Sequence, residues 1–168
     1  TAGVTIDASS SSSNPVSVTG GAGDDTITVS GEDDTVNAGA GDDVVNSSGG
    51  NDTVNLGPGD DVYVVDFGSS ELSGSTVDGG DGTDRVSSIA LTGTETVDLT
   101  GTGNAGALDA LSNVEQFQLD VTGNTGNTST DPLNTTGSVV DAQVDDATTQ
   151  AFGGTLNAVI VDGDSGSA

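Results

Sequence analysis

The sequence predicts an all-β chain: a roll of short parallel strands stacked on one another, followed by a further β-rich solenoid or a small sandwich that caps it. Three observations carry that prediction. A nine-residue pattern of glycine, aspartate and one apolar residue recurs from residue 20 for five units without a gap. Valine outnumbers leucine more than two to one and threonine is abundant, a bias toward strand. Leu, Ile, Val and Phe together supply only about a fifth of the 168 residues, so a conventional close-packed globule is hard to build. Many weak strands must share a narrow core, or something else must supply folding energy.

The charge balance points to what that could be. The chain carries 27 acidic residues against one base, Arg85, for a net charge of −26. Such a chain repels nucleic acid and anionic membrane surfaces and attracts cations. With no cysteine and no histidine, disulfides, thiolate sites, histidine-based zinc sites and Ser–His hydrolase centres are excluded. The chain also has no lysine and no phosphate-binding loop, and nothing in it supports catalysis, so it is not expected to be an enzyme. No run of about 18 apolar residues exists, so no transmembrane segment is expected. Methionine is absent, and the sequence reads as a fragment or a processed product.

The repeat reads in nines from Gly20: GGAGDDTIT (residues 20–28), VSGEDDTVN (29–37), AGAGDDVVN (38–46), SSGGNDTVN (47–55) and LGPGDDVYV (56–64). A sixth unit, VDFGSSELS (65–73), keeps glycine at position four and an apolar residue, Leu72, at position eight. After five more residues, GGDGTDRVS (79–87) restores the full pattern. Position six is Asp25, Asp34, Asp43, Asp52, Asp61 and Asp84, and position eight is Ile27, Val36, Val45, Val54, Tyr63 and Val86. The domains follow: lead-in strands over 1–19, a roll built from the repeat over 20–87, and a β-rich module over 88–168 that ends as if truncated.

Positions one to six are turn chemistry, because glycine permits φ > 0 and lets carbonyls converge. Positions seven to nine are a three-residue strand with one inward side chain. So short a strand persists only when stacked on copies of itself. Stacking brings the carboxylates to the inter-strand spacing of about 4.8 Å, where they repel unless a hard divalent cation lies between them. Ca²⁺ accepts six to eight oxygens in flexible geometry, whereas Mg²⁺ demands a tight octahedron and keeps its waters, so carbonyl-rich loops favour Ca²⁺.

The pattern resembles the RTX calcium-binding nonapeptide, G-G-x-G-x-D-x-U-x, over residues 20–87. That resemblance implies a parallel β-roll with two nonapeptides per turn, loops alternating between two edges, and several Ca²⁺ ions between loops of adjacent turns. Asp25, Asp43 and Asp61 are then expected on one edge and Asp34 and Asp52 on the other. The metal residues it implies are these five with Asp84, the preceding acids Asp24, Asp33, Asp42 and Asp60, and the loop positions Gly20, Ala22, Gly23, Ala38, Ala40, Gly41, Pro58 and Gly59. Two sites are expected on the first edge and at least one on the second. The sixth unit offers Ser70 where the family has aspartate. Loops lacking glycine at positions one and two, at Val29-Ser30, Ser47-Ser48 and Leu56, are expected to be weaker or distorted.

Beyond Ile89, alternation of apolar and polar residues predicts strands in residues 94–100 and 114–121 and in the segment NAVIVDGD. Residues 107–111 could hold a helical turn, residues 139–152 a short helix, and residues 121–138 a loop rich in Gly, Asn, Thr and Ser. Residues 4–21 resemble the lead-in to RTX blocks of bacterial S-layer proteins, and residues 154–168 resemble a module of giant RTX adhesins. Together these likenesses imply a structural calcium-binding module of an extracellular bacterial surface protein, exported by type I secretion, that folds and self-associates into a lattice or fibre on binding Ca²⁺. The alternatives are an RTX adhesin segment holding a cell-surface glycan, a host surface or ice, and the secretion tail of an exported enzyme. Outward threonines at position seven would favour ice, but Val44 and Val62 interrupt Thr26, Thr35 and Thr53.

Overall fold

The structure, a computed structural model, describes residues 1–65, 74–88, 98–99, 111–120, 143–144 and 157–161. Every described element is a strand and every strand pair is parallel. The chain winds alternately through two sheets. The first contains, in spatial order, β1 (Thr5–Asp7), β3 (Thr26–Thr28), β5 (Val44–Asn46), β7 (Val62–Val65), β9 (Arg85–Ser88), β12 (Gln116–Asp120) and β14 (Asn157–Val161). The second contains β2 (Ser17–Ala22), β4 (Thr35–Ala40), β6 (Thr53–Pro58), β8 (Thr76–Asp81) and β11 (Leu111–Ser112). A separate pair joins β10 (Asp98–Leu99) to β13 (Gln143–Val144).

Register shows the eighteen-residue turn directly. Ile27 pairs with Val45 and Val45 with Tyr63 in the first sheet; Val36 pairs with Val54 in the second. The position-eight side chains therefore stack in two facing columns, Ile27-Val45-Tyr63-Val86 and Val18-Val36-Val54-Val77, and all eight are buried. Burying each such side chain contributes about 1.5–3 kcal/mol, which lets three-residue strands persist.

The core is wider than one residue per strand. Val29, Ala38, Leu56 and Val65, all at position one, are also buried. In extended backbone, residues two apart face the same side, so position one follows position eight inward. On the second sheet this continuation lengthens β4 and β6 to six residues, against three for β3 and β5.

The sixth unit differs from its expected frame. β8 pairs with β6 through Thr53↔Thr76 and Val54↔Val77, so Val77, not Leu72, takes position eight, and Ser75, not Ser70, takes position six. The parallel ladder decides this, because Val77 is the side chain that enters the column. The five additional residues consequently precede Gly74, within residues 66–73, which lie outside the described set.

Past residue 88 the roll continues, with β12 pairing β9 in the first sheet and β11 pairing β8 in the second. The predicted strands in 94–100, 114–121 and NAVIVDGD coincide with β10, β12 and β14. Two helical expectations are corrected where they meet described residues. Leu111 begins a strand and pairs with Val77, and Gln143–Val144 pairs with β10. The predicted loop over 121–138 lies outside the described residues.

The outer face of the second sheet carries an unbroken exposed row, Ser17, Thr35, Thr53 and Thr76, beside Thr19, Asn37 and Asn55. Val44 and Val62, expected to interrupt the threonines, lie on the first sheet.

Candidate metal centre

Each turn of the roll has two connections, one at each edge. On the first edge, loops one, three, five and seven lead from the second sheet into β3, β5, β7 and β9. All four use the same turn: glycines at positions two and four hold left-handed φ, at 143° and 124° in Gly21 and Gly23, 122° and 126° in Gly39 and Gly41, 110° and 154° in Gly57 and Gly59, and 106° and 149° in Gly80 and Gly82. A side chain at Gly39 or Gly57 would run into the position-two carbonyl of the turn before it. Loop five keeps this turn although Leu56 replaces its first glycine, because Leu56 is absorbed by the core.

At position six of these loops, Asp25, Asp43, Asp61 and Asp84 are at most 2 % exposed. Their Oδ1 atoms form a ladder. Asp25 Oδ1 accepts from the Val4 amide at 2.7 Å, Asp43 Oδ1 from Asp25 at 2.7 Å, Asp61 Oδ1 from Asp43 at 2.7 Å, and Asp84 Oδ1 from Asp61 at 2.9 Å. Glu115 continues it, its Oε2 accepting from the Asp84 amide at 2.8 Å. Glu115 is a member of the ladder that the nonapeptide pattern missed. Its signal was the strand start QFQLD immediately after it.

The other carboxylate oxygen is the decisive one. Oδ2 of Asp25, Asp43, Asp61 and Asp84 is buried and accepts no hydrogen bond. A buried charged oxygen left unsatisfied costs roughly 1–3 kcal/mol or more, so four in one row call for a positive partner. Backbone oxygen stands beside those of Asp25 and Asp84. A Cβ at Gly20 would strike both Asp25 Oδ2 and the Ala38 carbonyl, and one at Gly79 would strike the Asn113 carbonyl with Asp84 Oδ2 at 2.6 Å. Among the described residues no three acidic side chains converge on one point. A cation here would draw most of its oxygens from the backbone, which suits Ca²⁺.

The RTX calcium-binding nonapeptide repeat family matches residues 17–45 and 28–63, in four copies. This segment is an RTX array. RTX nonapeptides bind Ca²⁺, several ions per array, and the β-roll described above is the architecture expected of them. No curated protein and no solved structure matches the chain.

Burial shows in the acidities of the RTX aspartates. It pushes Asp61 up to about 6, opposed by the Asp43 amide and reinforced by the charges of Asp84 and Asp43. Burial likewise raises Asp43, Asp84 and Asp52.

The position-five acids form a separate, outer ladder. Asp24 Oδ1 accepts from the Asp42 amide at 3.1 Å, Asp42 from Asp60 at 3.0 Å, Asp60 from Thr83 at 2.9 Å, and on the second edge Asp33 from Asn51 at 2.9 Å. All four acids are exposed. The position-three carbonyls of Ala40 and Pro58 accept from the amides of Gly23 and Gly41, while Ala22 ends β2.

The second edge is built differently. Asp34 and Asp52 are 1 % exposed and their Oδ1 atoms accept from Val16 and Asp34 at 2.8 Å each. Here Oδ2 has donors. Asp34 Oδ2 accepts from both the amide and the hydroxyl of Ser30, at 2.9 Å each, and Asp52 Oδ2 accepts from the Ser47 hydroxyl. The next position six is Ser75, whose Oγ accepts from the Asp52 amide at 2.9 Å.

Proposed function

We propose that this chain is a structural calcium-binding module of an extracellular bacterial surface protein, and that Ca²⁺ binding folds it and drives its assembly into a lattice or fibre. One observation supports the reading most: a row of four buried carboxylate oxygens without a donor, with backbone carbonyls beside those of Asp25 and Asp84. Asp25, Asp43, Asp61 and Asp84 supply the charged ligands, and the glycine turns at Gly20, Gly23, Gly41 and Gly59, with Ala22, Ala38, Ala40 and Pro58, supply the backbone around them. The bound ion neutralises the row and ties successive turns together.

Folding and binding are then one event. A chain of net charge −26 with a thin core stays expanded without cations, and a ligand that binds only the folded state stabilises it by mass action. Low cytosolic Ca²⁺ keeps such a chain export-competent, and the higher concentration outside folds it. The module has no catalytic role in this reading.

Titrating Ca²⁺ into the chelated chain while following far-UV circular dichroism tests this, with Mg²⁺ as the control. The expected outcome is a cooperative coil-to-β transition specific to Ca²⁺, followed by sheets or fibres in electron microscopy. Folding without assembly removes the lattice and leaves a spacer or secretion tail. An unresponsive spectrum removes the calcium reading.

A second reading, an adhesin segment, is favoured by the continuous Ser17-Thr35-Thr53-Thr76 row on the second sheet. Its regular hydroxyls suit an ordered surface, glycan or ice. Thr35→Tyr with Thr53→Tyr would abolish such binding and leave the Ca²⁺ transition intact.

A further inference from the structure

We propose that the array is one-sided: its cations bind along the first edge, and on the second edge the side chains of Ser30 and Ser47 have taken the cation's place. This rests on the calcium reading above, and it concerns where the ions go.

The argument is a count of donors. A carboxylate accepts up to about four hydrogen bonds. On the first edge each position-six aspartate receives one, at Oδ1, and its buried Oδ2 receives none. On the second edge Asp34 receives three, one at Oδ1 and two at Oδ2. Asp52 receives one at each oxygen. The two edges therefore differ at one atom, Oδ2, and there the second edge already has what a cation would provide.

Displacing the serines would be costly. Ser30 is 1 % exposed, so a cation at Asp34 Oδ2 would strip a buried amide and a buried hydroxyl of their acceptor. Such an ion would gain Coulomb energy from only two acids. The second edge runs Val16, Asp34, Asp52, Ser75, while the first runs Asp25, Asp43, Asp61, Asp84, Glu115 without a break.

The backbone agrees. Loop two has Ser30 at position two and Glu32 at position four, where the first-edge loops have left-handed glycines. Loop four has its left-handed glycines at positions three and four, Gly49 at 131° and Gly50 at 91°. Neither repeats the glycine turn found four times opposite. In the folded roll the second edge is thus a seam closed by neutral donors, and the ion closes the first edge alone.

The test is the number of Ca²⁺ ions bound per 168-residue chain in equilibrium dialysis, for the wild type and for Asp43→Asn, Asp52→Asn and the double variant Ser30→Gly/Ser47→Gly. Asp43→Asn is expected to lower the count and Asp52→Asn to leave it at the wild-type value. The double variant removes both hydroxyls, which frees Oδ2 of Asp52 and leaves Asp34 Oδ2 only the residue-30 amide, and is expected to raise the count. Because Asp52→Asn could fail to fold, anomalous difference maps from wild-type crystals grown in Ca²⁺ locate the ions without any variant. Peaks are expected between first-edge loops and none between loops two and four. A peak at Asp34 and Asp52, or an equal loss of ions in Asp43→Asn and Asp52→Asn, overturns the one-sided array and leaves calcium-driven folding standing. A double variant that binds no more ions than the wild type overturns the role given to the serines. A wild-type chain that binds no Ca²⁺ overturns both this inference and the function on which it rests.

Discussion

Loop three and loop four follow one another in the chain, open successive copies of the nine-residue unit, and end on aspartates that are equally buried. Loop three turns through Gly39 and Gly41 and leaves Asp43 Oδ2 without a donor. Loop four turns through Gly49 and Gly50 and hands Asp52 Oδ2 to Ser47. The difference teaches that the aspartate serves two separable purposes. Its Oδ1 stacks one turn on the next, identically at both edges. Its Oδ2 is left for a further partner, and the residues at positions one and two decide whether that partner is a hydroxyl or something from solution.

The largest effect on this comparison is expected at position one, which loops five and four use differently. Leu56 on the first edge fills the core at 1 % exposure, while Ser47 on the second reaches a carboxylate. Leu56→Ala should cost roughly 2–5 kcal/mol, as large-to-small core changes do, read from urea unfolding in saturating Ca²⁺. A loss under 1 kcal/mol would mean that the roll's interior is not close-packed there.

Glycines give the next contrast. Gly39 has φ 122° and a Cβ there would meet the Gly21 carbonyl, whereas a Cβ at Gly31 would meet only the Ser48 carbonyl at 3.7 Å. Gly39→Ala should cost about 1–3 kcal/mol from backbone strain alone, with the clash adding to it. Gly31→Ala should fall within about 0.5 kcal/mol of the wild type. Equal costs in urea unfolding would show that the two edges share one turn geometry after all.

A smaller change is expected at Ser47→Ala. Removing the hydroxyl leaves Asp52 Oδ2 buried without a donor, a loss of about 1–3 kcal/mol. It should raise the Ca²⁺ concentration at the midpoint of the circular dichroism transition. A lowered midpoint would show that the hydroxyl competes with the ion rather than replacing it.

Much of this is legible in the sequence. The nine-residue phase located the aspartates and the apolar column, and the strand-end position of the acids implied a metal. Three features were not legible, each for a physical reason. Position one reads as turn, because glycine occupies it in the first unit, although Val29, Ala38, Leu56 and Val65 are all buried in the core. The frame of the sixth unit was misplaced, because glycine and leucine fit the pattern locally and only pairing across the sheet selects Val77. The serine partners were invisible, because Ser30 sits at position two and Ser47 at position one, so no fixed offset links hydroxyl to carboxylate. Local patterns report what repeats, whereas these three features depend on how successive turns meet.

The smallest effect is expected with pH in the absence of Ca²⁺. Burial raises the carboxyls of Asp43 and Asp84, and that of Asp61 to about 6, from an ordinary value near 3.8. A raised folded-state value means that the proton binds the folded chain more tightly than the unfolded one. The resulting stability is complete below the unfolded value and is lost as pH rises through the folded one. Between about pH 4 and 6 the calcium-free roll should therefore gain stability on acidification, the reverse of a protein held by exposed ion pairs. With Ca²⁺ present the sign inverts, because protons compete for the oxygens that the ion requires, and the Ca²⁺ midpoint should rise as pH falls through 6. Circular dichroism at pH 5 and pH 7, in chelator and in Ca²⁺, reads both signs from one sample. If acid stabilised the chain equally with and without the ion, the raised carboxyls would not be the ones that calcium uses, and the first edge would lose its claim as the metal-binding side.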